Sequence, residues 1–417
     1  MKRKALAVAV GALFVAPAAQ AQITFGNEQI GTLQLYGKIY PQFGWFSSTD
    51  STQPGASVST LMASTPTSGV LGGTGRIEEP PTRQLVDVGN SYIGLRGERN
   101  LTSGFGGLKA IWQIETATNF DVGTGTWGSR NSFGGLSSGA FGTVKLGNMD
   151  TVYKEYGDTF SMFGISSGNF VSASNILSQS IGSNRLARFH ERRTNSINYE
   201  TPTFANVTAG VMYGPDEAKT GSRNANLWSY GIKWDTERFY ASVHRELHND
   251  FFGLSSNIAN TALRNNTNVA AHSRDRATRF SGEVRFPNQR IVVDVARLEY
   301  DETGQAAGPH VANYKHVNWA IGWDGGFGGP WRFATQYIKA GKGSCTLTSG
   351  SCTTDSLQAW MWTAGVRYRF DRQTFVYLIG ARLNNDRSAN YNNNSTIANT
   401  TIGANMTNVA LGVSYTF

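Results

Sequence analysis

The residues of this 417-residue chain that could do chemistry do not assemble into a catalytic set. A hydrolase needs a nucleophile or a carboxylate pair with a positioned histidine, and no such grouping is readable from the spacing, so no enzyme activity is expected. The six histidines show no metal-ligand pattern. His244 and His248 stand four apart, which on a strand places them on one face about 13 Å from each other, near a loop and solvated. Gly123, Gly125 and Gly128 satisfy G-x-G-x-x-G, but no helix or βαβ unit follows, so a dinucleotide site is not expected. Neither a metal nor a cofactor is expected. Cys345 and Cys352 lie in a Gly/Ser/Thr stretch between two strand-like runs. Downstream of an export signal, with no His or third Cys nearby, they favour a disulfide over zinc.

What remains is charge on strand faces. Lys38 falls on the polar face of an early strand with Tyr36, Tyr40 and Gln42. Arg96 shares a face with Tyr92 and Glu98. Lys145 and Arg192 occupy inward phases of the strands flanking a long polar segment, 150–190, and Arg185 and Arg188 lie at the return of that segment. Facing charges of opposite sign across a narrow water-filled gap orient dipolar solutes and bias which ion enters. Fixed bases on a wall can do this without breaking any bond.

The elements that must hold these residues are strands. The last ten residues alternate Val409, Leu411, Val413, Tyr415, Phe417 with Asn408, Ala410, Gly412, Ser414, Thr416, one oily face and one small polar face. Phe280, Val284 and Phe286 alternate in the same way with Arg279, Ser281, Glu283 and Arg285. Val317, Trp319, Ile321 and Trp323 alternate with His316, Asn318, Ala320 and Gly322. The run 291–300 puts Asp294 and Arg297 on opposite faces, which calls for a bulge or a rim position. Between the runs, short Gly/Asn/Asp/Pro connections (99–107, 137–142, 201–206, 235–237, 287–289, 324–330, 370–373) alternate with long polar ones (47–83, 121–129, 150–190, 215–225, 249–275, 301–312, 341–356, 385–405). That alternation predicts sixteen strands with tight turns at one rim and loops at the other.

Composition fits the same reading. The apolar fraction is 40% and aromatics are 12%, and no stretch after residue 21 approaches the roughly 18 apolar residues of a spanning helix. Strands hide their apolarity in alternate positions. In hydrocarbon an unpaired sheet edge is costly, so the sheet must close, with its oily face outward. The aromatics near strand ends (Trp234, Trp323, Trp331, Tyr337, Phe370, Tyr415, Phe417) suit interfacial girdles. Residues 1–21 read as a signal peptide: Lys2, Arg3 and Lys4, an apolar run, then Ala19-Gln20-Ala21. Its removal lowers the formal charge from +8 to about +5. Residues 22–417 are then one barrel domain. The pI near 9.4 comes from charges spread along the chain, without the dense patch of a nucleic-acid binder, and no solenoid-type repeat is present.

Five passages carry a family resemblance: L-Q-L-Y-G-K-I-Y at 33–40, the hairpin 91–115, the hairpin 133–148, R-R-T-N-S-I-N-Y-E-T-P at 192–202, and the terminal S-Y-T-F. Together they resemble the Gram-negative outer-membrane general porins. The resemblance implies a homotrimer of sixteen-stranded transmembrane barrels in the outer membrane, among lipid and lipopolysaccharide. Each barrel would hold a water-filled pore for passive diffusion of small solutes and ions. It also implies that the third long loop, 150–190, folds inward to constrict the pore. The passage Asp158–Gly164 is similar to the acidic tip D-M-L-P-E-F-G of enterobacterial members, with Met162 in place of the second acid, so Glu155 and Asp158 form the expected acidic side. Lys38, Arg96, Lys145, Arg185, Arg188 and Arg192 form the expected basic side, with Tyr36, Tyr40 and Tyr92 as pore-lining aromatics. Tyr92 and Asn148 stand where many members carry arginine. With one acid lost, the expectation is mild anion preference. The alternative is a porin selective for one anionic solute, held by Arg96, Arg192 and Lys38.

Overall fold

Alternating strands joined by short turns pair with the next strand in the chain, and the long connections leave the same neighbour pairing open. The computed structural model shows that meander. It describes residues 23–27, 31–51, 61, 82–101, 107–165, 167–181, 189–219, 221–258, 260–393 and 402–417. The expected leader, most of the first long loop, Arg185 and Arg188 lie outside the described residues.

The strands in chain order are β1 (Ile23–Asn27), β2 (Gly31–Ile39), β3 (Gln42–Thr49), β4 (Arg83–Asp87), β5 (Tyr92–Asn100), β6 (Lys109–Ala117), β7 (Ser132–Ser138), β8 (Gly142–Asp150), β9 (Arg192–Glu200) and β10 (Val207–Gly214). They continue as β11 (Leu227–Asp235), β12 (Phe239–Asn249), β13 (His272–Phe286), β14 (Gln289–Thr303), β15 (Val311–Gly325), β16 (Trp331–Ala340), β17 (Ser344–Leu347), β18 (Ala359–Arg369), β19 (Thr374–Asn385) and β20 (Asn405–Thr416). Every pairing is antiparallel. β2 and β3 are one wall strand interrupted at Pro41, which has no N–H to give a ladder. β4 with β5, and β16 with β17, are likewise one strand each. β1 runs beside β2 beyond the end of β20. The twenty segments therefore make a closed sixteen-stranded barrel. The short and long connections fall where the sequence places them.

Closure is made at the chain's end. Phe417 N–H donates to the Gly37 carbonyl at 3.0 Å, and Gly37 N–H donates back at 2.9 Å. The Phe417 ring lies over Gly37, where a Cβ would come within 2.6 Å of it. Trp112 covers Gly97 in the same way, at 2.7 Å. These outward glycines make room for rings of their own chain.

The outward face is the oily one. Val409, Leu411, Val413 and Tyr415 are exposed while Asn408, Ala410 and Ser414 are buried. Phe280, Val284 and Phe286 are exposed while Arg279, Ser281 and Glu283 are buried. The girdle residues Trp234, Trp331, Phe370 and Tyr415 are exposed as well. No bulge is needed at 291–300, because the β13–β14 and β14–β15 ladders run unbroken through it. Arg297 faces outward beyond Ile291, Val293 and Val295, paired with Glu299, so it takes the rim position.

The inward face is polar but not uniformly wet. From β12 to β20 it also carries Ile338, Met361, Ile379 and Leu383, all buried under the third long loop. Near the outer mouth, Leu254 and Ile258 of the 250–271 connection cover Leu298, Tyr300 and Tyr314. Cys345 of β17 and Cys352 in the connection that follows form a disulfide, Cα–Cα 5.8 Å.

Candidate functional site

The third long loop leaves β8 and turns inward. A short helix, α1 (Val152–Gly157), starts it, and the Thr151 side chain accepts from Lys154 N–H at 3.3 Å as its cap. Its apolar residues Val152 and Tyr156 pack on Met149 and Met212. The chain then crosses the inner wall. Arg290 of β14 donates to the carbonyls of Thr159 (3.0 Å) and Ser161 (3.2 Å). Phe160 packs over Gly322, where a Cβ would sit 2.6 Å from the ring.

The tip is a tight hairpin. Met162 and Ile165 exchange backbone hydrogen bonds at 3.0 Å, and the central residues Phe163 and Gly164 have φ of 51° and 87°. Such a turn suits Gly164 and strains Phe163, whose ring is held in the space left by Gly365. On the return, Asn169 donates to Gln42 at 3.3 Å, while Gln336 and Asn318 donate to the carbonyls of Val171 (2.6 Å) and Ile176 (2.9 Å). A second helix, α2 (Ser174–Leu177), is buried among Ile338, Ala340, Met361 and Leu383.

The two acids of the loop part company. Glu155 is exposed on α1. Enclosure by the barrel pushes its carboxyl above the ordinary range; Lys145 opposes the shift, Glu200 adds to it and Lys233 opposes it. Asp158 turns the other way and pairs with His190. Burial alone would raise its pKa, but the charge and hydrogen bond of His190 outweigh that and pull it down to about 2. His190 is itself buried against the wall, its backbone N–H donating to the Glu246 carboxylate at 3.2 Å. His244 and His248, expected to be solvated, are buried instead. His244 sits edge-on to Tyr153 at 4.9 Å, and His248 stacks on Phe189 at 4.8 Å while bonding Glu246 at 3.1 Å. The loop covers them.

The bases of the opposite wall are spread over β2 to β9. Arg96 Nε donates to Gln34 at 2.8 Å and its guanidinium lies 4.8 Å over Tyr36. The Tyr36 hydroxyl donates to Glu115 at 3.0 Å, and Glu115 pairs with Arg130 at 2.5 Å. Arg130 covers Tyr92 at 4.8 Å, so cations and rings alternate in a ladder. Arg130 was not readable from strand phase, because it arrives from the second long loop, 118–131; Glu115 was missed although it and Gln113 alternate with Trp112 and Ile114 on β6. Lys38 Nζ donates to the Gly164 carbonyl at 2.8 Å, joining the wall to the loop tip. Lys145 stands over Phe133 at 5.3 Å. Arg192 is held by Asp150 (2.9 Å) and Asn131 (3.1 Å) at the top of β8 and β9. Tyr40 does not reach open lumen: it is fully buried and stacked on Tyr377 at 4.6 Å, under the loop tip. The structure thus brings together Glu155, Lys145, Lys233 and Glu200 on one side, and Lys38, Arg96, Tyr36 and Tyr92 on the other.

A family model for the Gram-negative porins matches residues 5–388. Among curated relatives, the major outer membrane protein P.IB of Neisseria meningitidis serogroup B is 30% identical over 185 residues, 43% of this chain and 50% of the relative. The Neisseria gonorrhoeae protein of that name is 33% identical over 159 residues, 38% and 41% of the two chains. The matched stretch thus spans about half or less of the length of these relatives. Among solved structures, the anion-selective porin from Comamonas acidovorans superposes with a TM-score of 0.63 at 18% identity, covering 92% of this chain and 99% of that one. The trimer form of Vibrio cholerae OmpT gives 0.58 at 14%, covering 93% and 99%. Salmonella typhi OmpF gives 0.56 at 14%, covering 95% and 100%. With a barrel of sixteen strands, an oily outer face and a loop laid along the inner wall, the chain belongs to the Gram-negative porin family and resides in the outer membrane.

Proposed function

We propose that the protein is a channel, not an enzyme, through which small hydrophilic solutes and ions diffuse passively along the β5–β9 side of the barrel, with mild anion preference. The third loop is its constriction. The observation that carries the preference is the pairing of Asp158 with His190. It leaves Glu155 as the exposed acid of the loop, beside Lys145 and Lys233 and facing a wall that bears Lys38, Arg96 and Arg130. Lys38 and Lys145 contact a carbonyl and rings rather than a carboxylate among the described residues. Charges lining a narrow, low-dielectric passage act on entering ions far more than they would in open water. The test is the reversal potential of the purified protein in a planar bilayer under a salt gradient. A chloride-favouring potential supports the reading, and a cation-favouring one removes it.

The functional unit is a homotrimer, exported by way of residues 1–21 and bathed in outer-membrane lipid and lipopolysaccharide. The exposed apolar outer face of β5 to β8, with Ile93, Trp112, Leu136 and Leu146, supplies the contact. Gly37 and Gly97 are already filled by Phe417 and Trp112, so Ala110 and Gly134 are small outward positions left for a neighbour. A charge at Ala110 that leaves a heat-resistant trimer on a gel counts against this contact.

A further inference from the structure

Below the loop tip, at the rim that carries the short turns, the inner faces of β16 and β18 hold a second group of guanidiniums. Arg332 and Arg367 are direct cross-strand partners, and Arg369 follows on the same face of β18. Like charges placed opposite each other on neighbouring strands repel. One carboxylate, Asp324, serves this group, and it is already shared by Arg332 and Arg290. Arg367 lies between the rings of Phe163 (5.5 Å) and Phe375 (4.9 Å), and its buried Nε has no hydrogen-bond partner among the described residues. The three arginines enclose a cavity of about 140 Å³ with Asn288 and the glycines of the 326–330 turn. Gly328 and Gly329 have φ of 98° and 74°, and among the described residues nothing stands within 4 Å of where their Cβ atoms would be. The floor is therefore open backbone.

We propose that this cavity is a binding site for a small dianion of the phosphate type, with Arg367 and Arg369 as its ligands and Arg332 as a third, partly neutralised neighbour. A planar guanidinium offers paired N–H donors that match phosphate oxygens, and a dianion removes the repulsion between Arg332 and Arg367. The site is separate from the Lys38–Arg96–Arg130 ladder, because the third loop lies between them. It extends the channel reading by placing an anion trap at the periplasmic exit.

The experiment is calorimetric titration of the folded, detergent-solubilised full chain with inorganic phosphate at low ionic strength, which does not require the protein to conduct. Binding by the parent is expected. It should weaken roughly tenfold in Asn288→Asp, which at unchanged size replaces an amide donor by a carboxylate that repels the dianion, since a hydrogen bond to a charged group is worth about that factor or more. It should vanish in the Arg367→Gln/Arg369→Gln double variant and persist in Lys145→Gln. Folding of each variant is checked by its heat-modified mobility on a gel, and Asn288→Asp alone decides the matter if the double variant does not fold. No binding by the parent overturns the proposal even if the protein conducts. Binding that survives Asn288→Asp but is lost in Lys145→Gln overturns it by moving the site to the open wall.

Discussion

The inner wall of the barrel has two halves built from the same residue types and put to different uses. On β5 to β9, charged side chains meet water: Lys109 and Glu98 pair at 2.7 Å with side chains 40% and 48% exposed. On β12 to β15, Arg279 and Asp294 pair at 2.8 Å with side chains 3% and 2% exposed. Strand alternation aims both sets inward and does not distinguish them. What distinguishes them is the third loop, which lies on β10 to β20 and leaves most of β5 to β9 open. Under the loop, charges become its fasteners. In the open half they stay exposed, where the proposed channel would have them set the field a solute crosses. An exposed pair contributes about 0–1 kcal/mol, whereas losing one partner of a buried pair costs about 3–5 kcal/mol.

Breaking that contrast should produce effects in this order. Arg279→Met strands Asp294 in a dry site, with an expected loss of about 3–5 kcal/mol, read as a lower midpoint of denaturant unfolding and a noisier, larger conductance. Adding Asp294→Leu should recover much of the stability, because a buried pair replaced whole by apolar groups is often neutral. Gly322→Ala puts a methyl where Phe160 packs; overpacking should cost about 1–3 kcal/mol and loosen the loop tip.

The two acids of the loop should separate on titration. Glu155 has a raised carboxyl, so it loses its charge at a higher pH than an ordinary glutamate, and reversal potentials should move toward chloride first as the pH falls. Asp158 is depressed from 3.8 to about 2, so its hold on the loop is complete above 3.8 and is lost as the pH falls toward 2. An unfolding midpoint that dropped before the reversal potential moved would contradict that assignment. The smallest effect belongs to the open half: Lys109→Ala should change stability by less than about 1 kcal/mol in the same unfolding assay.

Most of the barrel was legible because strand alternation and connection length are one-dimensional signals. Phe280 against Arg279, or Val409 against Asn408, declares its face without knowledge of its neighbours. The site was legible only where strand phase suffices. Lys38, Arg96 and Lys145 are on the inward face, and Tyr36 and Tyr92 join the ladder. Strand phase does not reveal what lies over an inward residue. Tyr40 has the same phase as Lys38 yet is sealed by the loop tip, and Ile338, Met361 and Leu383 break the polar pattern because the loop buries them. His190 and Arg130 sit on connections, where no period announces a side chain's direction. The pairing of Asp158 with His190 links the two arms of one loop across more than thirty positions, which no local pattern carries.

The division of the wall is tested most directly by thiol accessibility during conduction, since both cysteines of the chain are locked in the disulfide. Lys145→Cys and Ser281→Cys are compared, one in the open half and one beneath the loop. A charged, water-soluble thiol reagent should cut the current through Lys145→Cys within seconds and leave Ser281→Cys untouched. Equal modification of both, or a current indifferent to the Lys145→Cys thiol, would contradict a passage confined to the β5–β9 side.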